Sequence, residues 1–367
     1  MKVLHVISGD LWAGAEAQAA TLLAQLARQP GTLVTVVLLN QGELARRLMA
    51  LAIDVRVLEE QQLSSPVIFL KLLGVMQKLQ PDIVHTHRIK ENILASLAAT
   101  LVTAAKGVRT VHGSAEHSLK GWRNLHRRIL AGLDNSCGAH LQSATIAVSQ
   151  ELGQVLARKF PKHNVVVIEN GVAANSTSDL DLSPAWKKPH TDVLHVGIAG
   201  RLVPVKRLDI FIDMAAELTG RSPGRWQFHI FGDGPLRSQW VERVAGLGLT
   251  HQILFHGQVS DLSSQLRSLH ALVICSDHEG LPMVALEALA VKTPVLAHAV
   301  GGLRDLLDEP LLISDNRANC YADKLTHLMQ SRVEAGAPLA MVTLPDQYTA
   351  DYNARQVLGL YARLIAE

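Results

Sequence analysis

Cysteine is scarce in this chain: Cys137, Cys275 and Cys320 are the three in 367 residues. They are odd in number, widely scattered and without a CxxC pair. That speaks against a disulfide framework or a cysteine-based zinc site and makes a reducing compartment, the cytoplasm, the expected location. Aromatic residues are few, at 4%, and none interleave with basic residues as a nucleic-acid surface requires, so no nucleic-acid partner is expected. No run approaches ~18 uninterrupted apolar residues, so no segment is expected to span a membrane. The apolar stretch after Lys2 is also too short for a signal peptide. Short repeats and low-complexity tracts are absent.

What is present suits a soluble α/β protein: 48% hydrophobic and 19% charged residues. The length exceeds one ordinary core and predicts two domains of roughly 150–200 residues. The net charge of +2 conceals an asymmetry. Residues 1–180 carry 18 Lys+Arg against 13 Asp+Glu, and the remainder 17 against 20. A basic first half suits an anionic acceptor or membrane surface; scattered surface charge accounts for it equally well.

Short β-branched runs alternate with stretches of helical periodicity. Val3–Ser8, Val34–Leu39, Ile53–Leu58, Ile83–Thr86, Val108–Val111, Thr145–Val148 and Val165–Ile168 read as buried strands, with helices such as Glu16–Arg28, Val67–Leu79 and Asn92–Thr103 between them. Ala173–Asp192 loses the periodicity and reads as a linker. A second series follows, with strands Val193–Ala199, Gln227–Phe231, Ile253–Phe255, Ala271–Cys275, Pro294–Ala297 and Leu311–Ile313. Its main helices are Arg207–Leu218, Leu236–Ala245, Pro282–Val291 and Arg317–Met329. Such alternation predicts two doubly wound α/β domains, whose ligands sit at the carboxyl ends of parallel strands.

Three turns carry candidate chemistry. Ser8 to Glu16 (SGDLWAGAE) joins the first strand to a helix; its glycines allow close backbone approach and the helix start offers N–H groups to anions. A plain strand–helix turn has the same look, and the GxGxxG spacing of an NAD site is missing. Gly200 to Arg207 (GRLVPVKR) sets a glycine and several cations at a strand end, where Arg201 can fork onto two phosphate oxygens and Lys206 adds a point charge. A solvated basic loop is its alternative. The segment Ser276 to Ala288 (SDHEGLPMVALEA) brings Glu279 on a loop and Glu287 on a helix, so both carboxylates can face one site and accept hydrogen bonds from hydroxyls. A capping carboxylate with a solvated helix glutamate would give the same spacing.

Taken together, these motifs resemble glycosyltransferase family 4, the retaining GT-B glycosyltransferases (glycosyl transferases group 1). The family's EG-x-P-x4-E segment is matched by Glu279–Glu287 and its preceding GR-x4-K loop by Gly200–Lys206. Phe231-Gly232-Asp233-Gly234, Gly257, Ala299-Val300-Gly301-Gly302 and Glu169-Asn170-Gly171-Val172 match in order. The resemblance covers nearly the whole chain and is densest over residues 195–305. It implies two Rossmann-like domains facing across a cleft: residues 1–175, completed by a C-terminal helix in 348–367, on the acceptor side, and residues 190–347 on the nucleotide-sugar side. Carried over by position, Arg201 and Lys206 would hold the donor diphosphate, Glu279 the donor sugar and His112 the transferred sugar. Gly14 belongs to the glycine-rich loop of the first domain and is grouped with donor-binding Gly200, Gly232, Gly257, Val259, Gly280, Leu281, Pro282 and Glu287. Of these, Glu287 would meet the ribose and the Gly257–Val259 loop the base. No metal or other cofactor is implied. The implied activity is transfer of a hexose or N-acetylhexosamine, with UDP the preferred nucleotide, to a carbohydrate or lipid-linked acceptor. A nucleotide-sugar epimerase, a phosphorylase and a non-catalytic binding subunit are the rivals.

The sequence departs from the family at three places. Ala13-Gly14 replaces a double glycine, Lys292 stands where a glycine usually ends the donor helix, and Asp305 replaces a glutamate. Two further features stand outside these motifs. His85 and His87 alternate on one strand face and could converge on a metal, but no third ligand lies nearby in sequence; a place near the cleft is the expected one. Lys120 to Leu130 mixes Lys120, Arg123, Arg127 and Arg128 with apolar residues and could rest on the anionic inner face of a membrane, or lie as a solvated helix on the core.

Overall fold

A computed structural model describes residues 1–113, 125–161, 163–173, 193–259, 261–335 and 344–367. The chain divides into two compact units: unit 1 is Met1–Ala173 with Asp346–Glu367, and unit 2 is Ala174–Pro345. Of the expected linker Ala173–Asp192, all but Ala173 lies outside the described residues.

Unit 1 is a seven-stranded sheet in the order β3-β2-β1-β4-β5-β6-β7. The strands are β1 (Lys2–Ile7), β2 (Leu33–Leu38), β3 (Asp54–Val57), β4 (Ile83–Thr86), β5 (Lys106–Val111), β6 (Ala144–Ala147) and β7 (Val165–Val167). All their pairings are parallel. The helices are α1 (Gly14–Leu26), α2 (Glu43–Ala50), α3 (Ser65–Leu79), α4 (Ile89–Val102), α5 (Leu125–His140), α6 (Gln150–Lys159) and, from the end of the chain, α13 (Ala350–Ala366).

Unit 2 repeats the plan with six parallel strands in the order β10-β9-β8-β11-β12-β13. Its strands are β8 (Leu194–Ala199), β9 (Trp226–Phe231), β10 (Ile253–Gly257), β11 (Ala271–Ile274), β12 (Val295–His298) and β13 (Leu312–Ile313). Its helices are α7 (Leu208–Arg221), α8 (Arg237–Gly246), α9 (Leu262–Arg267), α10 (Met283–Ala290), α11 (Leu303–Leu306) and α12 (Ala318–Ala335).

The alternating side chains of a strand explain why both faces are covered. In β1, Val3 joins Leu22, Leu26, Val357, Leu360 and Tyr361 on the face of α1 and α13, while Leu4 and Val6 join Ile68, Leu72 and Met76 on the face of α3. The strands follow the sequence expectation to within two residues. Helices α2, α5, α6, α9 and α11 were not singled out. For α6 and α9 the start is set by a side-chain cap, Ser149 accepting from Leu152 N and Asp261 from Ser264 N, a local signal carried by one residue. Strand order reverses between β1 and β4 and again between β8 and β11, which makes those two carboxyl ends the switch points where doubly wound sheets bind ligands.

Candidate active site

Unit 2's switch point gathers most of the predicted residues. Beyond β8 the chain passes through Gly200, at φ 150°, whose N–H donates to the Phe231 carbonyl at 3.0 Å. Gly232 N–H donates to the Gly257 carbonyl at 2.7 Å, so the ends of β8, β9 and β10 are laced together. A Cβ at Gly232 would lie 2.1 Å from the Gly200 carbonyl oxygen, so only glycine allows this approach. Arg201 is exposed, a 3-10 turn covers Pro204–Lys206, and Arg207, left-handed at φ 49°, opens α7.

The second loop runs from β11 into α10. Lys206 Nζ donates to Glu279 Oε1 at 2.5 Å and Asp277 N–H to the Val205 carbonyl at 2.9 Å. Arg207 binds Asp209 Oδ2 at 2.9 Å and Asp277 Oδ1 at 3.0 Å. These ties fix the two loops as one body. The hydrogen bond to Asp209 first, and that to Asp277 next, raise the Arg207 pKa above its ordinary value and keep it charged. Gly302 N–H donates to the Gly280 carbonyl at 2.6 Å, and His298 Nδ1 lies 2.8 Å from the Ser276 carbonyl.

Gly200, Arg201, Lys206, Ser276 and Glu279 line one cavity, closed below by Ile198, Phe231 and Val284. Lys206 and Glu279, with side chains 27% and 10% exposed, tolerate burial because each neutralises the other. Around the cavity's Glu279 edge, Gly280, Leu281 and Pro282 form the turn before α10; Pro282 is the extended residue that caps the helix rather than its first turn. Glu287 is half-buried on α10, and Gly257, at φ 65°, leads from β10 to Val259. A site built this way presents two cations, a carboxylate and glycine backbone to an anionic, hydroxyl-rich ligand.

Gly14 and His112 belong to unit 1. Gly14 is the first residue of α1 after the extended Ala13. His112 follows β5, half-buried, and burial pushes its pKa down to about 4, so it is neutral at pH 7. Nearby charges went unnoticed in the sequence. Arg88 bridges Asp10 and the buried Glu16, and Lys90 donates to Glu60 at 2.5 Å. Burial raises the Glu16 pKa, and Arg88 opposes the rise.

His85 and His87 do not sit at an open edge. They are buried on the α13 face of the sheet, at 0% and 6% exposure, and β1 supplies a third ring, His5, that no nearby sequence could reveal. Of the basic stretch, Lys120 and Arg123 lie outside the described residues, as does the Arg127 side chain. Arg128 is exposed on α5 beside the exposed Ile129, Leu130 and Leu133. Among the described residues no helix is long and apolar enough to cross a membrane.

The family described as Glycosyltransferase Family 4 matches residues 12–175, and the family described as Glycosyl transferases group 1 matches residues 193–331. The Vi polysaccharide biosynthesis protein VipC/TviE of Salmonella typhi is 31% identical over 223 residues, 57% of this chain and 38% of the relative. The poly(ribitol-phosphate) alpha-N-acetylglucosaminyltransferase of Staphylococcus aureus is 28% identical over 212 residues, 56% of this chain and 41% of the relative. The chain thus spans about two fifths of the length of these curated relatives. Among solved structures, HepE from Anabaena in complex with UDP and glucose superposes with a TM-score of 0.79 at 17% identity, covering 99% of each chain. That likeness shows the fold, GT-B: two parallel α/β sheets, the first completed by the last helix. With one family matching the first half and the other the second, and with the GR-x4-K and EG-x-P loops of unit 2 lining one cavity, the chain belongs to the family 4, group 1 glycosyltransferases.

Proposed function

We propose that the protein is a retaining, metal-independent glycosyltransferase. It moves a hexose or N-acetylhexosamine from a nucleotide-sugar, preferably a UDP-sugar, to a hydroxyl of a carbohydrate or lipid-linked acceptor in cell-surface polysaccharide or glycolipid assembly. The observation that carries this reading is the shared pocket of Arg201, Lys206 and Glu279 at the switch point of unit 2. UDP and glucose in HepE support the donor class, and the name of VipC/TviE supports the polysaccharide setting.

In the reaction the bond from sugar C1 to the diphosphate oxygen breaks through an oxocarbenium-like state. Arg201 and Lys206 hold the negative charge that develops on the diphosphate, so no divalent ion is needed for it. Glu279 leaves its ion pair with Lys206 to accept from donor sugar hydroxyls, and Glu287 accepts from the ribose. The acceptor hydroxyl attacks C1 from the face the diphosphate leaves and passes its proton to a departing phosphate oxygen. His112 contacts the transferred sugar as a neutral imidazole. Arg128 and the apolar residues beside it on α5 suit peripheral contact with an anionic membrane.

A thermal-shift screen against UDP-, GDP- and ADP-sugars tests the donor pocket, and transfer assays on Arg201→Ala and Glu279→Ala test the chemistry. A melting shift with the UDP-sugars is expected. Each substitution should lower kcat/KM at least a hundredfold, about 2.7 kcal/mol of transition-state stabilisation. No shift with any nucleotide-sugar, or rates near wild type in both variants, would sink the proposal. Binding without turnover over a broad acceptor panel would favour a non-catalytic subunit.

A further inference from the structure

One face of the unit 1 sheet carries a file of polar side chains through an otherwise apolar core. Alternation along β1, β4 and β5 brings His5, His85, His87, Thr110 and His112 to that face, with His5 in register with His85 and His85 with Val108. Tyr361 reaches it from α13. His85 Nε2 lies 2.8 Å from Thr110 Oγ1, and His85 Nδ1 lies 2.5 Å from the Tyr361 hydroxyl. The same hydroxyl lies 3.4 Å from His5 Nε2. His5 Nδ1 is 3.2 Å from His87 Nε2, and His87 Nδ1 is 3.1 Å from His112 Nε2. His112 Nδ1 has no hydrogen-bond partner among the described residues.

Proton counting restricts this file severely. A neutral imidazole has one N–H and one lone pair, and a phenol donates one proton. His85, His5 and His87 each use both ring nitrogens, so each donates in one direction and accepts from the other, whereas the Tyr361 oxygen can donate to one neighbour or accept from both. Two neighbours donating toward one another, or both away, would leave a contact with two protons or none. The contacts from Tyr361 to His112 must therefore all point one way, as must those from Tyr361 to Thr110, and only Tyr361, by accepting from both sides, could set the two runs against each other.

The distances choose the direction. A contact of 2.5 Å from Tyr361 to His85 fits O–H donation, whereas the 3.4 Å contact to His5 fits a longer N–H donor. Tyr361 then donates to His85 Nδ1, and His85 Nε2–H donates to Thr110. His5 Nε2–H donates to Tyr361, His87 Nε2–H to His5, and His112 Nε2–H to His87. Burial keeps the rings neutral, holding His5 near pKa 3 and His112 near 4.

We propose that His5, His85, His87, Thr110 and Tyr361 are positioning residues that lock His112 as its Nε2–H tautomer, presenting Nδ1 as a hydrogen-bond acceptor for a hydroxyl of the transferred sugar. The sugar contact rests on the function proposed above; the locked tautomer does not. The nitrogens of His5, His85 and His87 also lie within 4.8 Å of one another, as a metal site would need. Every one of those nitrogens is already committed within the file, which leaves no convergent lone pairs.

The test is long-range 1H–15N spectroscopy of the full chain labelled at histidine, at pH 7 and without donor or acceptor. All four rings are expected as Nε2–H tautomers. In Tyr361→Phe and Thr110→Val, two small changes at the deep end, His112 should lose its single tautomer while His163, bonded to Thr145 outside the file, keeps its signals. Nδ1–H forms in the native chain, or a His112 tautomer indifferent to both substitutions, would overturn the proposal. So would stoichiometric binding of Co2+ or Zn2+ with loss of these N–H signals. Because no nucleotide-sugar is present, these outcomes stand apart from the thermal-shift result that tests the enzyme assignment.

Discussion

A Cβ at position 301 would lie 2.0 Å from the Glu279 carbonyl oxygen, and Gly301 has φ 53°. Glu279 therefore holds its place through a glycine twenty-two positions on, and the Gly301-Gly302 motif acts as a backbone seat for the carboxylate's loop. Gly232 does the same for Gly200. That Arg201, Lys206 and Glu279 meet at one cavity was legible in the sequence because residue type and spacing place them beside strand ends. Tyr361 was not: 356 positions separate it from His5, and a tyrosine in an amphipathic helix gives no local sign of what lies across the sheet. One departure from the family pattern has a measurable cost. Lys292 is exposed and left-handed at φ 63°, a conformation glycine adopts without steric penalty. Lys292→Gly should raise stability by about 1 kcal/mol, read as a higher midpoint in urea with unchanged slope.

At the scale of elements, most strands were readable because they are short apolar runs, buried along their whole length in β4, β6 and β11, a pattern fixed by their own residues. The docking of α13 depends instead on partners far away. Glu169-Asn170-Gly171-Val172 receives it: Val172 pairs with Thr349, Asn353 Nδ2 donates to the Glu169 carbonyl at 2.5 Å, and Thr349 caps the helix by accepting from Tyr352 N. A Cβ on Gly171 would come within 2.5 Å of the Thr349 carbonyl oxygen. Gly171→Ala should cost about 1–3 kcal/mol through overpacking. Faster amide exchange is expected in α13 and in the strands it covers, with β8 to β13 unchanged as the internal control.

Across the whole molecule, the buried histidines give unit 1 an acid limit. Burial lowers the pKa values of His5, His85, His87 and His112 below 6.5. In the unfolded chain these rings take up protons near pH 6.5, whereas in the folded unit they do not. Their stabilisation is complete above that pH and declines as pH falls toward 3–4, by up to about 1.4 kcal/mol per ring per pH unit. Glu91 acts oppositely: burial raises its pKa from 4.5 to about 7, so its contribution falls as pH rises through that interval. Glu16, raised by burial in the same direction, adds to Glu91, so two carboxyls oppose the four imidazoles. Unit 2 has His229, lowered to about 3, and His256, lowered in the same direction. Taking pH from 7 to 5 should therefore raise intrinsic-rate-corrected amide exchange in β1, β4 and β5 more than in β8 and β9. Equal acceleration in both units would refute this account.

The return of α13 to the first unit also sets a schedule for synthesis. The ribosome makes the strands of unit 1 first, yet Val357, Leu360, Tyr361 and Leu364, which cover Val3, Leu22 and Val108, emerge only after all of unit 2. Unit 2 is continuous in sequence and has its whole core in hand as soon as residue 345 is made. The half of the protein begun first is thus finished last, and until then α1 alone supplies helix cover to the face that holds its row of histidines.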